Sequence, residues 1–145
     1  MEKKLIIWDD YYSVGYEVID KQHKMLVEMI NELYSSFISG KAQEKAPEIV
    51  NEMIKYTDYH FKTEEKFFDK YDYPETKEHK LIHKSFVDKV VEVKEGLDSK
   101  KVTVSYDIMN FLRKWLLEHI LQEDKKYQSF FKDNDINLDI EEINI

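Results

Sequence analysis

The chain's five histidines stand among residues of the kind that build a hydrophobic core. His60 lies four residues before Glu64, and His79 lies four before His83. Each spacing is one helical turn, so each pair projects from a single helix face. His23 and His119 are the remaining two, and Asp124 follows His119 by five residues. Burying an imidazole without a partner costs a few kcal/mol, so each ring needs something to bond. Taken singly, any of them could be a core histidine bonded to a carbonyl or a carboxylate. Five together, with Glu64 in the same seam, point to metal, because an ion satisfies several imidazoles at once. Five imidazoles and two carboxylates exceed the four ligands of a structural zinc site and suit two ions that share carboxylates. Nitrogen and oxygen donors without sulfur suit iron, with zinc, manganese or copper also compatible. Five neutral ligands should favour a reduced pair that binds oxygen over one that drives oxidation.

The elements that must hold these residues are helices. Ile19, His23, Leu26, Ile30, Leu33 and Phe37 recur at helical spacing, as do Ile49, Met53, Tyr56, His60, Glu64, Phe67 and Tyr71. The third stripe is His79, Ile82/His83, Phe86, Val90, Val93, Leu97. The fourth is Ile108, Phe111/Leu112, Trp115, His119. All five histidines fall on these stripes. Asp20 is the expected N-cap of the first helix, and Thr103 or Ser105 that of the fourth. Gly40 suits a helix C-cap, Pro47 a helix start, Pro74 a break, and Gly96 the close of the third segment. Short connections make neighbouring helices antiparallel. The expectation is an all-α, up-down-up-down four-helix bundle. It would form one domain over 1–145: an N-terminal arm to about 18, helices over about 19–131, and an acidic tail over about 132–145. One spacing resists this scheme. His119 and Asp124 are separated by about 500° on a regular helix, about 140° from a common face. Either Asp124 is no ligand, or the helix carries a local wide turn.

Composition narrows the function classes. With 42% hydrophobic and 36% charged residues the chain is globular rather than disordered. A net charge of -8, with acids and bases interspersed, argues against a nucleic-acid surface, which needs a basic stripe. Cysteine is absent, which excludes disulfides, thiolate ligands and cysteine nucleophiles. The apolar run in "MEKKLIIWDDYY" is too short for a signal-peptide core, and no stretch is long enough to span a membrane. The expected location is cytoplasmic. The many tyrosines and phenylalanines read as core. Glu65, beside Glu64 but on another face, reads as solvated or as an outer partner to the site.

The segments "WDDYYSVGYEVIDKQHKML", "HFKTEEKFF", "YPETKEHKLIHKSF" and "WLLEHILQED" together resemble the haemerythrin (hemerythrin) family over nearly the whole chain. The resemblance implies two non-haem iron ions joined by an oxo or hydroxo bridge. His79, His83 and His119 would hold one iron, His23 and His60 the other, with Glu64 and Asp124 bridging. It thereby favours Asp124 as a ligand. O2 would bind at the open position of the two-histidine iron, in a pocket made by Leu26, Phe61, Trp115, Leu116 and Ile120. NO, azide and other small anions are further candidate ligands. The implied function is reversible O2 binding by a carrier, store or sensor, not an enzyme. The competing reading is a di-iron oxidase or peroxidase that consumes O2 or peroxide. Protein partners are not specified by these residues.

Overall fold

The computed structural model describes residues 4–101 and 103–136. Four helical rods form a bundle: α1 (Glu17–Ile38), α2 (Ala42–Lys70), α3 (Thr76–Asp98) and a composite fourth rod. That rod is α4 (Tyr106–Glu118), a π-helical turn (His119–Asp124) and α5 (Lys125–Asp133), run end to end. Within the described residues there is no strand. α2 packs between α1 and α3, and α4 returns against α1, which gives the antiparallel order expected from the short connections.

The apolar stripes become the core. Ile19, Leu26, Ile30 and Leu33 of α1, Ile49, Met53 and Phe67 of α2, and Phe86, Val90 and Leu97 of α3 are all buried. Phe68, Tyr127 and Phe131 are fully buried and pack with tilted rings at the α5 end of the bundle. Burying a side chain of this size contributes about 1.5–3 kcal/mol, so the aromatic end anchors α5 against α2.

Several helix ends differ from the sequence expectations. α1 starts at Glu17 after Tyr16, which makes no side-chain cap. Asp20, the expected cap, is held by the arm instead: it accepts from Val14 N–H at 2.8 Å and from the Ser13 hydroxyl. Ser105 does cap α4, accepting from Ile108 N–H. Gly40 takes φ +76° just past α1, and the Gly40 and Lys41 N–H groups close onto the Phe37 and Ser36 carbonyls. α2 begins at Ala42, ahead of Pro47, so the proline lies inside the helix and the Gln43 carbonyl loses its usual helical donor. α3 runs through Gly96 to Asp98. The left-handed residue that ends it is Lys100, at φ +61°, with Lys101 N–H bonded to the Gly96 carbonyl.

The arm is tied down at both ends of its path. The Asn31 side chain exchanges two 2.8 Å hydrogen bonds with the backbone of Ile6. Gly15 sits at φ +77°, a left-handed conformation that favours glycine, and a Cβ there would also have to displace the end of the Gln128 side chain, 2.8 Å away. Tyr16 donates its hydroxyl to the Ile136 carbonyl, fastening the arm to the end of the fourth rod. The tail expected over about 132–145 lies, beyond Ile136, outside the described residues.

Candidate metal centre

Each rod delivers part of one buried cluster. His23 comes from α1, His60 and Glu64 from α2, His79 and His83 from α3, and His119 and Asp124 from the π turn. All seven are buried. The turn resolves the awkward spacing: Lys125 N–H bonds to the Ile120 carbonyl five residues back rather than four. Widening the helix in this way brings residues five apart onto one side, so Asp124 faces the same point as His119.

Every inward-facing ring atom is Nε2. His23 Nε2 lies 3.0 Å from Asp124 Oδ2, while His79 and His119 Nε2 lie 3.2 and 3.1 Å from Asp124 Oδ1. His60 and His83 Nε2 both lie 3.3 Å from Glu64 Oε1. His83 and His119 Nε2 are 3.1 Å apart. Donors at right angles around an ion with bonds of about 2.1 Å stand about 3 Å apart, so these spacings match the edges of a coordination shell. Two overlapping groups result. Glu64, His79, His83, His119 and Asp124 each place a donor atom within 4.8 Å of the others; so do His23, His60, Glu64 and Asp124. The two carboxylates belong to both groups. Asp124 turns one oxygen toward each.

The outer ring nitrogens define the inner ones. His60 Nδ1 is 2.6 Å from Gln22 Oε1, and His83 Nδ1 is 2.9 Å from Glu65 Oε2. Both partners are acceptors, so a proton sits on each Nδ1, which leaves Nε2 to offer its lone pair to an ion. Both oxygens of Glu64, both of Asp124, and Nε2 of His23 and His79 lack a hydrogen bond despite the short separations. Four unpartnered carboxylate oxygens in a core are untenable without a counter-charge. The donor chemistry therefore fits metal ions.

Electrostatics of the metal-free cluster point the same way. Burial would raise the Glu64 and Asp124 carboxyls, and they also repel each other. The facing imidazoles outweigh both effects and hold the two acids well below the usual carboxylate range. Burial likewise opposes protonation of His83, yet its contacts with Glu64 and Glu65 push it up to about 9. His23 is also raised, against its burial, by Asp124 and Glu64. His60 is lowered, because burial there exceeds the pull of Glu64. In the absence of metal, protons on His83 and His23 supply positive charge that the acids require.

Aromatic rings wall the cluster. Phe61 stacks on His83 at 3.7 Å with 3° between planes, Trp115 stacks on His119 at 4.5 Å, and Phe68 tilts over His79 at 4.7 Å. Beyond Phe61 is an apolar pocket lined by Leu26, Ile30, Met53, Thr57, Phe61, Phe86, Trp115 and Leu116. Its free space is small, room for about one molecule the size of water. Four of the five expected pocket residues line it. Ile120 does not: it follows His119 inside the π turn and is packed fully into the core. Gln22 was not legible as a site residue, since a glutamine beside a histidine carries no distinctive signal. Tyr127, fully buried and 5.9 Å from His79 by ring centroid, was detectable only from its place one turn beyond Asp124.

Residues 14–131 match the family described as the hemerythrin HHE cation binding domain. The chain belongs to the hemerythrin family. It is 34% identical over 122 residues to a bacteriohemerythrin of Pseudomonas aeruginosa, covering 84% of this chain and 78% of that one. It is 31% identical over 132 residues to a bacteriohemerythrin of Clostridium acetobutylicum, covering 85% and 98%. The crystal structure of a wild-type hemerythrin superposes with a TM-score of 0.81 at 27% identity, covering 86% of this chain and 96% of that one. Hemerythrin kinship and the buried histidine–carboxylate cluster agree on a site suited to a metal pair.

Proposed function

We propose that this hemerythrin holds two non-haem iron ions and binds O2 reversibly, as a carrier, store or sensor. The observation that carries this reading is the pair of overlapping donor groups sharing Glu64 and Asp124 beside a one-molecule apolar pocket. His79, His83 and His119 would hold one iron and His23 and His60 the other, with a solvent-derived oxo or hydroxo bridge completing the pair. The second group offers four donors where the first offers five, so an ion held by His23 and His60 would have the fewer protein donors and more room for a ligand. Leu26 follows His23 by one turn, while Phe61 and Trp115 stack on His83 and His119, so the pocket borders both donor groups. Iron supplies the electrons that make O2 binding possible and reversible. The chain's own task is to hold the donors, keep Nε2 lone pairs inward through Gln22 and Glu65, and exclude water with Leu116, Phe61 and Trp115.

Oxygen transport is the role of the hemerythrin family, and the two bacterial relatives named above are bacteriohemerythrins. None of the side chains lining the pocket is an acid or base, which supports binding over turnover. No described helix is long and apolar enough to cross a membrane. The test is metal analysis with optical spectra of the reduced protein before and after O2. Two irons per chain and a spectrum that reverts when O2 is removed are expected. One ion per chain, or zinc after iron-replete expression, overturns the di-iron assignment. Steady consumption of O2 with added reductant replaces binding with oxidase chemistry.

A further inference from the structure

The two donor groups differ in what stands behind their rings. Each has one ring whose outer nitrogen has no partner among the described residues: His119 in the group of five donors and His23 in the group of four. Each also has one ring held from behind. His83 Nδ1 bonds to the Glu65 carboxylate at 2.9 Å, and His60 Nδ1 bonds to the Gln22 side-chain amide at 2.6 Å. These two contacts are alike in kind and unlike in charge. Glu65 is an acid whose side chain is 25% exposed, whereas Gln22 is neutral and buried. Successive residues of a helix point about 100° apart, so Glu64 turns into the cluster while Glu65 reaches the outer edge of a ring on α3.

An ion bound at Nε2 leaves positive charge spread over the ring and its outer N–H. A carboxylate facing that N–H offsets the charge, and a hydrogen bond to an ionised partner is about twice as strong as one between neutral groups. It also makes the inward nitrogen a stronger donor. An amide oxygen orients the ring but offers no charge. We propose that Glu65 and Gln22 are positioning residues that make the two metal positions unequal. Glu65, acting through His83, strengthens the His79–His83–His119 position, which fills first. Gln22, acting through His60, leaves the His23–His60 position weaker and last to fill. The inference rests on the metal pair proposed above and adds to it an order of assembly. Five donors against four act in the same direction, so the test must isolate charge from donor number.

The experiment titrates metal-free protein with Co2+ and follows binding by calorimetry and by the visible absorption of the bound ion. Wild type should take up two ions in two resolved steps. Glu65→Gln keeps the shape and an acceptor oxygen but removes the charge. Its tighter step should weaken about tenfold, the lower end of the loss expected when an outer partner is altered, while its weaker step stays within about threefold. Gln22→Glu sets a carboxylate behind His60 and should strengthen the weaker step by a similar factor. The gap between steps thus narrows in both variants, from opposite sides. A residue that only held the fold would move both steps together. An unchanged gap in Glu65→Gln, an equal fall in both of its steps, or a weaker step that Gln22→Glu leaves where it was overturns the inference. So does a wild-type protein that takes both ions in one indistinguishable step. Wild-type uptake of a single cobalt ion overturns the metal pair itself, and is recognised before any variant is made.

Discussion

Removing the metal should reverse how stability depends on pH. In the metal-free fold His83 Nε2 faces Glu64 at 3.3 Å and its Nδ1 faces Glu65 at 2.9 Å. Burial opposes its charge, but the two carboxylates prevail and lift its pKa from 6.5 to about 9. A rise of this size corresponds to about 3 kcal/mol of stability from the protonated ring. Because the folded pKa is the higher one, this contribution is complete below pH 6.5 and is lost as pH climbs through 9. His23 is shifted in the same direction. His60 is shifted downward, so its effect falls below pH 6.5, outside this window. The depressed acids Glu64 and Asp124 contribute stability above the ordinary carboxylate range and lose it in acid. Metal-free protein should therefore be most stable near pH 6.5 and weaken by about 3 kcal/mol on the way to pH 9. The metal-loaded protein should not weaken over that interval, because protons compete with metal for the same imidazoles and their departure tightens the site. Urea unfolding at pH 6.5 and pH 9, with and without chelator, measures both slopes. Metal-free protein as stable at pH 9 as at 6.5 would refute the claim that ring protons stand in for the ions.

Leu116→Ala opens a buried wall residue that already borders free space, so its cost should lie toward the lower part of the usual range of about 2–5 kcal/mol. The variant should bind O2 but autoxidise faster as water reaches the site, and an unchanged decay of the oxygenated form in hours-long spectra would limit Leu116 to packing. Asp124→Asn keeps the volume but removes a charge shared by both donor groups, and metal analysis should find loading reduced at both positions, whereas His23→Gln should reduce only one. Equal loading of the two variants would count against Asp124 as a shared ligand. Lys100→Gly relieves a non-glycine residue at φ +61° past the end of α3 and should stabilise by about 0.5–1 kcal/mol in urea unfolding, a net of strain relieved against added chain entropy.

Local pattern made much of the bundle legible. Helical spacing placed His23, His60, His79, His83 and His119 on inward stripes, and all five are buried. Gly40 and Ser105 were readable because a C-terminal left-handed turn and an N-cap depend on neighbours within a few residues. Asp20 was misread as a cap because the arm competes for its carboxylate through Ser13 and Val14. Pro47 and Gly96 were misread as boundaries because packing along α2 and α3 outweighs the local preference to stop. The pocket was only partly foreseen. Met53 and Phe86 were recognised as stripe residues, but a one-dimensional stripe does not say which of its members meet at a void.

The sequence by itself determined which donors exist, which helix faces carry them, and that His119 and Asp124 could converge only through a distorted turn. Those are properties of residue type and of the rise and twist of a single helix. The tertiary structure alone decided that Nε2 faces inward on every ring, that Gln22 holds the outer nitrogen of His60, and which of its two readings Glu65 takes, as the partner of the outer nitrogen of His83. These relations join separate helices or residues distant in the chain. They depend on the rotation and stagger of one helix against another, which the packing of the whole core sets and no local pattern encodes.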